Sequence, residues 1–204
     1  MKIICIGRNY IAHARELNNE VPLEPVFFMK PDSSLLRNNY PFFIPDWTKE
    51  VHHEVELVIK INRRCKNVEK RFAHRYYNEI GLGIDFTARD IQNDLKNRGL
   101  PWEKAKAFDN AAALGTSFFA VTDFPGLKSI RFKLAINGNI VQRGHSGQMI
   151  FGFDDIIAHI SKYVTLKIGD LVYTGTPAGV GPVRIGDHLE GYLEDKKLLD
   201  FMIK

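Results

Sequence analysis

The stretch HHEVELVIKI, residues 52–61, decides how this chain is read. Taken at every second position, it separates into two rows. His53, Val55, Leu57, Ile59 and Ile61 form an apolar row of the kind a sheet buries. His52, Glu54, Glu56, Val58 and Lys60 form the other, and it sets two carboxylates side by side. Side chains at i and i+2 of a strand point the same way, about 6.5–7 Å apart at the backbone; on a helix they diverge by roughly 200°. The alternation predicts a strand over 51–61, and strand geometry then makes Glu54 and Glu56 neighbours. Two convergent carboxylates can share one hard cation: Mg²⁺, Mn²⁺ or Ca²⁺. A strand with one solvated face shows the same pattern, so the pair needs a further donor before it counts as a site.

Asp85 is that candidate. It ends the predicted strand GLGID, residues 81–85, at the mouth of a predicted helix that starts near Thr87 and stops at Gly99. Arg89 and Gln92 follow on that helix at i and i+3, so they share a face. Arg89 suits a carboxylate and Gln92 can donate a hydrogen bond; an exposed polar helix face has the same spacing. GRNYIAHARE, residues 7–16, places His13 and Glu16 within reach of each other on a helix predicted over 10–17. A Glu that orients an imidazole makes a general base, although an amphipathic surface helix reads alike. YTGTPAGVGPVRIGD, residues 173–187, lacks the lysine of a phosphate-binding loop. It is either a turn with glycines for positive φ or a backbone loop that approaches a ligand, with Thr176 offering a hydroxyl.

Composition sets the frame. The 204 residues suit one domain with a sizeable core, and 45% hydrophobic with 25% charged residues is ordinary for a soluble globular protein. Cys5 and Cys65 are far apart and in no metal spacing, which fits a reducing, cytoplasmic setting. The N-terminus reads as a first strand, not a signal peptide, and no apolar run reaches membrane-spanning length. The formal charge of +4 is dispersed among acidic residues with no basic stripe carrying aromatics, so neither nucleic acid nor membrane is the expected partner. A modest positive field favours small anions.

Further strands are expected over 2–6, 26–30, near 42–44, 131–136, 140–143, 170–173, 188–192 and 198–203, with helices over 67–76 and 153–163. Asn137-Gly138 is a strong hairpin signal. The sum is an α+β chain, mostly strands with a few helices against them.

Six stretches occur together and in order: GRNYIAHARE, FFMKP, HHEVELVIKI, GIDFTARDIQ, GLPWEKAKAFD and YTGTPAGVGPV. In this the chain resembles the fumarylacetoacetate hydrolase family, most closely its compact acylpyruvase and oxaloacetate-decarboxylase branch, from about residue 3 to the C-terminus. The resemblance implies the family's mixed β-sandwich roll with a few peripheral helices, usually a homodimer. It implies that Glu54, Glu56 and Asp85 hold Mg²⁺ or Mn²⁺. His13 and Glu16 match its catalytic dyad on a mobile lid helix within residues 1–22. Lys106, Arg89, Gln92 and Thr176 match positions that contact substrate, with Lys106 and Arg89 offsetting negative charge. The implied activity is C–C bond hydrolysis or lysis of 2-oxo acids, giving pyruvate and a carboxylate from an acylpyruvate, or CO₂ from oxaloacetate. Isomerase or hydratase chemistry on 2-oxo-dienoates is the enzymatic alternative; a metal-binding β domain with a nucleic-acid-binding surface is the other. Residues 145–151 read HSGQMIF where relatives often read NTSDMIF, a departure on the acyl side and not at the metal ligands.

Overall fold

Glu54 lies at a break between two strands, and the sheets are arranged around it. The computed structural model describes residues 1–16 and 20–204. β1 (Ile3–Gly7) leads into α1 (Ile11–Glu16), followed by β2 (Val26–Lys30) and β3 (Leu35–Leu36). Next come β4 (Val51–His53), β5 (Val55–Ile61), α2 (Lys70–Ala73), β6 (Tyr77–Asp85) and β7 (Thr87–Ala88). α3 (Arg89–Asn97), α4 (Glu103–Lys106), β8 (Ala112–Leu114) and β9 (Phe119–Ala120) precede the hairpin of β10 (Arg131–Ile136) and β11 (Asn139–His145). α5 (Phe153–Tyr163), β12 (Leu171–Tyr173), β13 (Gly181–Pro182), β14 (His188–Leu193) and β15 (Lys196–Met202) follow.

Among the described residues the strands form three sheets. The largest runs β2-β1-β12-β5-β6-β8-β3, with β9 also on β6; a second runs β11-β10-β14-β15; a third, small one runs β13-β4-β7. The strand predicted over 51–61 is thus two strands in two sheets. The chain changes sheet at Glu54, whose carbonyl accepts from the Asp85 N–H at 2.9 Å. β5 sits mid-sheet and both of its faces are covered. Leu57, Ile59 and Ile61 pack into the main core with Leu82, Ile157 and Val172. Val58 packs on the other side with Ile3, Cys5 and Tyr173. The charged row of 52–61 is therefore not a solvated face. Mixed sheets with short helices on their flanks make this an α+β fold. No described helix is long and apolar enough to cross a membrane.

Local chemistry explains most boundaries. Asn137 (φ 52°) and Gly138 (φ 79°) both take the left-handed conformation that a two-residue hairpin turn needs. Asp90 in the first turn of α3 accepts from Thr48 Oγ1 at 2.6 Å and Lys49 N at 2.9 Å, and Gly99 (φ 63°) ends the helix. Other expectations change. Thr87 is not the cap of α3: it pairs with His52 in β7, and Ala88 holds the cap position. The helix expected over 67–76 shrinks to α2, because Asn67 adopts φ 52° and Tyr77 already belongs to β6. The strand near 42–44 is a single bridge, Phe42 to Ile203. Leu17, the end of the first predicted helix, lies outside the described residues, as does part of the predicted lid.

Candidate metal centre and active site

Three carboxylates meet where β4, β5 and β6 end or begin. Glu54 occupies the sheet change, Glu56 stands two residues on in β5, and Asp85 is the last residue of β6. Their ligand oxygens all lie within 4.8 Å of one another. The residues are 5%, 1% and 2% exposed. Three buried anions so close together are strongly unfavourable unless compensated.

Cations from elsewhere supply part of that compensation. Lys106, at the end of α4, donates to Glu54 Oε2 and Asp85 Oδ2, both at 2.8 Å, and to Thr87 Oγ1 at 2.5 Å. Arg89, the first residue of α3, pairs with Glu54 Oε1 through Nη2 and donates to Gln92 Oε1 at 2.6 Å and His52 Nδ1 at 3.3 Å. Lys30, the last residue of β2, is fully buried. It reaches the carbonyls of Ala111 (2.7 Å) and Phe86 (3.3 Å), and its Nζ lies 2.6 Å from Asp85 Oδ1. That last contact is an ion pair and not an aligned hydrogen bond, so Asp85 Oδ1 is charge-paired while, among the described residues, no donor points along its lone pairs. Glu56 has the least support. Gly175 N–H donates to its Oε2 at 2.7 Å, and among the described residues no cation pairs with it.

The electrostatics follow. Burial alone would raise Glu54, but Lys106 and then Arg89 overcome it and hold its carboxyl well below the usual range. Glu56 goes the other way: burial, then Asp85 and Glu54, push it well above its ordinary 4.5. Burial would lower the Lys106 ammonium, but Asp85 and Glu54 outweigh it and keep it charged. All-oxygen donors converging within one buried cluster, with no described cation paired to Glu56, suit a hard divalent cation. The residues present fit such an ion.

His13 is buried on α1, with Nδ1 3.4 Å from Glu16 Oε2. Burial pushes its imidazole below 6.5, against the upward pull of Glu54 and Glu16. Thr176 stands in the wall, but its hydroxyl is already engaged: it donates to Val55 O at 2.8 Å and accepts from Gln142 Nε2 at 2.9 Å. The glycine-rich loop is a close backbone approach. Gly175 (φ 100°) has no room for a Cβ, which would lie 2.6 Å from Asn9 Cβ.

Eight of the nine predicted site residues line one cavity of about 480 Å³, its open mouth included; Glu16 stands behind His13. Three supporting residues escaped the sequence reading. Lys30 was visible only as a lone cation ending the apolar run VFFMK. Gln142 clamps β5 to the glycine loop, accepting from Val55 N at 3.0 Å and His53 Nδ1 at 2.9 Å while donating to Thr176 and Pro177. His52 bridges Arg89 and Glu50.

The family model for the fumarylacetoacetate (FAA) hydrolase C-terminal region matches residues 2–202. The chain is 37% identical over 202 residues to the mitochondrial oxaloacetate tautomerase FAHD1 of Bos taurus, covering 99% of this chain and 91% of that one. It is 41% identical over 186 residues to the mitochondrial oxaloacetate decarboxylase of Dictyostelium discoideum, covering 91% and 85%. The crystal structure of fumarylpyruvate hydrolase from Pseudomonas aeruginosa, in complex with Mn²⁺ and pyruvate, superposes with a TM-score of 0.93 at 31% identity, covering 100% of this chain and 89% of that one.

Proposed function

The chain belongs to the fumarylacetoacetate hydrolase family, and from that premise we propose that it is a divalent-metal-dependent enzyme that breaks the C3–C4 bond of 2-oxo acids. Its substrates are acylpyruvates, which give pyruvate and a carboxylate, and oxaloacetate, which gives pyruvate and CO₂. The observation behind this reading is the buried triad in which, among the described residues, Glu56 has no ion-pair partner and Asp85 Oδ1 has an ion pair but no aligned hydrogen bond, beside Arg89 and Lys106 in one cavity. Glu54, Glu56 and Asp85 would hold Mg²⁺ or Mn²⁺. A homodimer, one catalytic domain across residues 1–204 and a cytoplasmic location belong to the same proposal. They rest on the family resemblance and, for the location, on two free buried cysteines.

When bound, the ion supplies Lewis-acid polarisation of the substrate's carboxylate and keto oxygens. The protein's own groups do the rest. Arg89 is fixed by Glu54, Gln92 and His52, so its charge reaches the site without reorganisation on reaction. Lys106 stays an ammonium and offsets the negative charge left when the C3–C4 bond breaks. With Nδ1 facing Glu16, neutral His13 keeps a lone pair on Nε2. In hydrolysis that lone pair takes the proton of the water that attacks C4. In decarboxylation C4 departs as CO₂ and no water attack is needed; in either route the C3–C4 electron pair stays with C3, which takes up one proton to give pyruvate.

A second reading is favoured by the relatives named oxaloacetate tautomerase. In it, a proton leaves C3 and another reaches the keto oxygen, with no carbon–carbon bond broken. One panel separates the two: acylpyruvates, oxaloacetate and enol-oxaloacetate with Mg²⁺ or Mn²⁺, following pyruvate release and ketonisation separately. Metal-dependent pyruvate release supports bond cleavage. Ketonisation without pyruvate supports the tautomerase.

A further inference from the structure

Gln142 is a polar residue on the core face of a hairpin. In β10–β11 it pairs with Leu134, which packs in the main core, and it is 1% exposed. A buried amide without partners is costly. Beside it the hairpin carries a bulge: Leu134 faces Gln142 and Ala135 faces Ile140, so Val141 is an extra residue in β11. Bulges re-aim side chains and gather next to active sites. Here the amide is aimed at the ends of two elements that carry the metal ligands and the glycine loop.

The network leaves the amide no choice of direction. Oε1 accepts from Val55 N at 3.0 Å and from His53 Nδ1 at 2.9 Å; Nε2 donates to Pro177 O and to Thr176 Oγ1, both at 2.9 Å. A backbone N–H cannot accept and a backbone carbonyl cannot donate, so one orientation alone satisfies both. The Thr176 hydroxyl is fixed in turn: it accepts from Gln142 and gives its proton to Val55 O at 2.8 Å. It has no proton left for a ligand. Oε1 thus holds the residues on either side of Glu54, where the chain changes sheet. Nε2 holds the loop one residue beyond Gly175, whose N–H serves Glu56. Among the described residues the Thr176 N–H has no acceptor, and Thr176 lines the cavity of the triad while Gln142 does not. A fixed, unpaired N–H there suits a ligand carboxylate.

We propose that Gln142 is a positioning residue for the 2-oxo acid. It touches no substrate; through the Thr176 hydroxyl it sets where the Thr176 N–H stands relative to the metal ligands. The inference rests on the function proposed above and deepens it, because it brings a residue of the β10–β11 hairpin into the substrate end of the site.

The test is a double-mutant cycle read by calorimetry. Pyruvate titrated into the Mn²⁺-loaded protein reads the substrate end without turnover, and Mn²⁺ titrated alone reads the triad. Gln142→Met keeps the length of the side chain and loses all four bonds; Thr176→Val keeps the shape and loses the hydroxyl. Each should weaken pyruvate by about tenfold or more, the worth of one hydrogen bond to a charged group. The double variant should lose no more than the worse single one, because the two residues act as a unit. Mn²⁺ affinity should fall by a smaller factor than pyruvate affinity, which a general loosening of β5 around Glu54 and Glu56 would not give. If Gln142→Met does not fold, Gln142→Glu takes its place at alkaline pH: its carboxylate still accepts from Val55 and His53 but donates to neither Thr176 nor Pro177. Three results overturn the role: unchanged pyruvate affinity in the Gln142 variant, losses that multiply to about a hundredfold in the double variant, or a Mn²⁺ loss as large as the pyruvate loss. A wild type that binds pyruvate with this coupling but releases none from any 2-oxo acid contradicts the proposed function and upholds the positioning role. A loaded wild type that does not bind pyruvate overturns both.

Discussion

Glu16 reaches from α1 to the glycine loop, where the Gly179 N–H donates to both of its carboxylate oxygens, at 3.0 and 3.2 Å. Gly179 lies against β11, since a Cβ there would be 2.4 Å from Val141 O. The residue that faces His13 thus also ties its helix to the loop carrying Thr176. The six described residues of α1 are a marginal helix in isolation, so docking of α1 depends on such ties. We expect amide exchange over residues 11–16 to slow when Mg²⁺ and oxalate are added together, and Glu16→Ala to remove much of that protection. Equal exchange with and without ligand would mean that α1 does not gate the cavity.

His13 lies in the cavity wall but outside the carboxylate cluster. His13→Ala should keep Mn²⁺ affinity and lose acylpyruvate hydrolysis by roughly 10²–10⁴-fold, the usual worth of a general base. Oxaloacetate decarboxylation, which needs no attacking water, should suffer less. Since His13 works as a neutral base and burial sets it below 6.5, the acid limb of hydrolysis should also lie below that pH. Hydrolysis within a few-fold of wild type would assign water activation to another group.

Glu56 makes the metal-free protein sensitive to pH. Its folded pKa is raised above the ordinary 4.5, so its contribution to stability is full below about 4.5 and is lost as pH rises through the folded value. Bound metal needs the carboxylate, so loading should release a proton. Mn²⁺ titrations at neutral pH, run in buffers of differing ionisation enthalpy, should show heats that scale with the buffer. Buffer-independent heats would mean that Glu56 is already ionised.

Lys30 is the cation nearest Asp85 Oδ1, and it has no contact with bulk water. Lys30→Met should destabilise the metal-free protein by about 3–5 kcal/mol, the cost of leaving one member of a buried pair alone. Added Mn²⁺ should restore part of the loss, because the ion replaces the missing charge at Asp85. Thermal unfolding with and without Mn²⁺ reads both effects. An unchanged melting temperature would remove Lys30 from the support of the centre.

Legibility in the sequence followed the range of the interactions. The Asn137-Gly138 turn, the stop at Gly99 and the pairing of Glu54 with Glu56 are decided within a few residues, and alternation exposes them. The sheet change at Glu54 is not, because it depends on Asp85 and on which sheet claims each half of 51–61. The two-sided burial of β5 is hidden for the same reason: a strand with charges on one row looks half-solvated until the counter-ions are found. Those come from Lys30, Arg89 and Lys106, on three elements with no local sign of the partnership. Gln142 escaped as well, since a lone Gln in a hairpin strand reads as polar surface. The expected helix over 67–76 is longer than α2 because Asn67, a residue that tolerates the left-handed conformation, takes φ 52° instead of opening the helix.

The central claim is that Glu54, Glu56 and Asp85 hold one divalent cation, and Glu56 tests it most directly because no described cation pairs with it. Glu56→Gln keeps the size of the side chain and its acceptor for the Gly175 N–H while removing the charge. Calorimetric titration of Mn²⁺ into wild type and variant should show one site per chain in wild type and a loss of affinity of at least tenfold in Glu56→Gln, with the variant still folded by circular dichroism. Equal affinity in the two proteins would contradict the assignment of the metal centre.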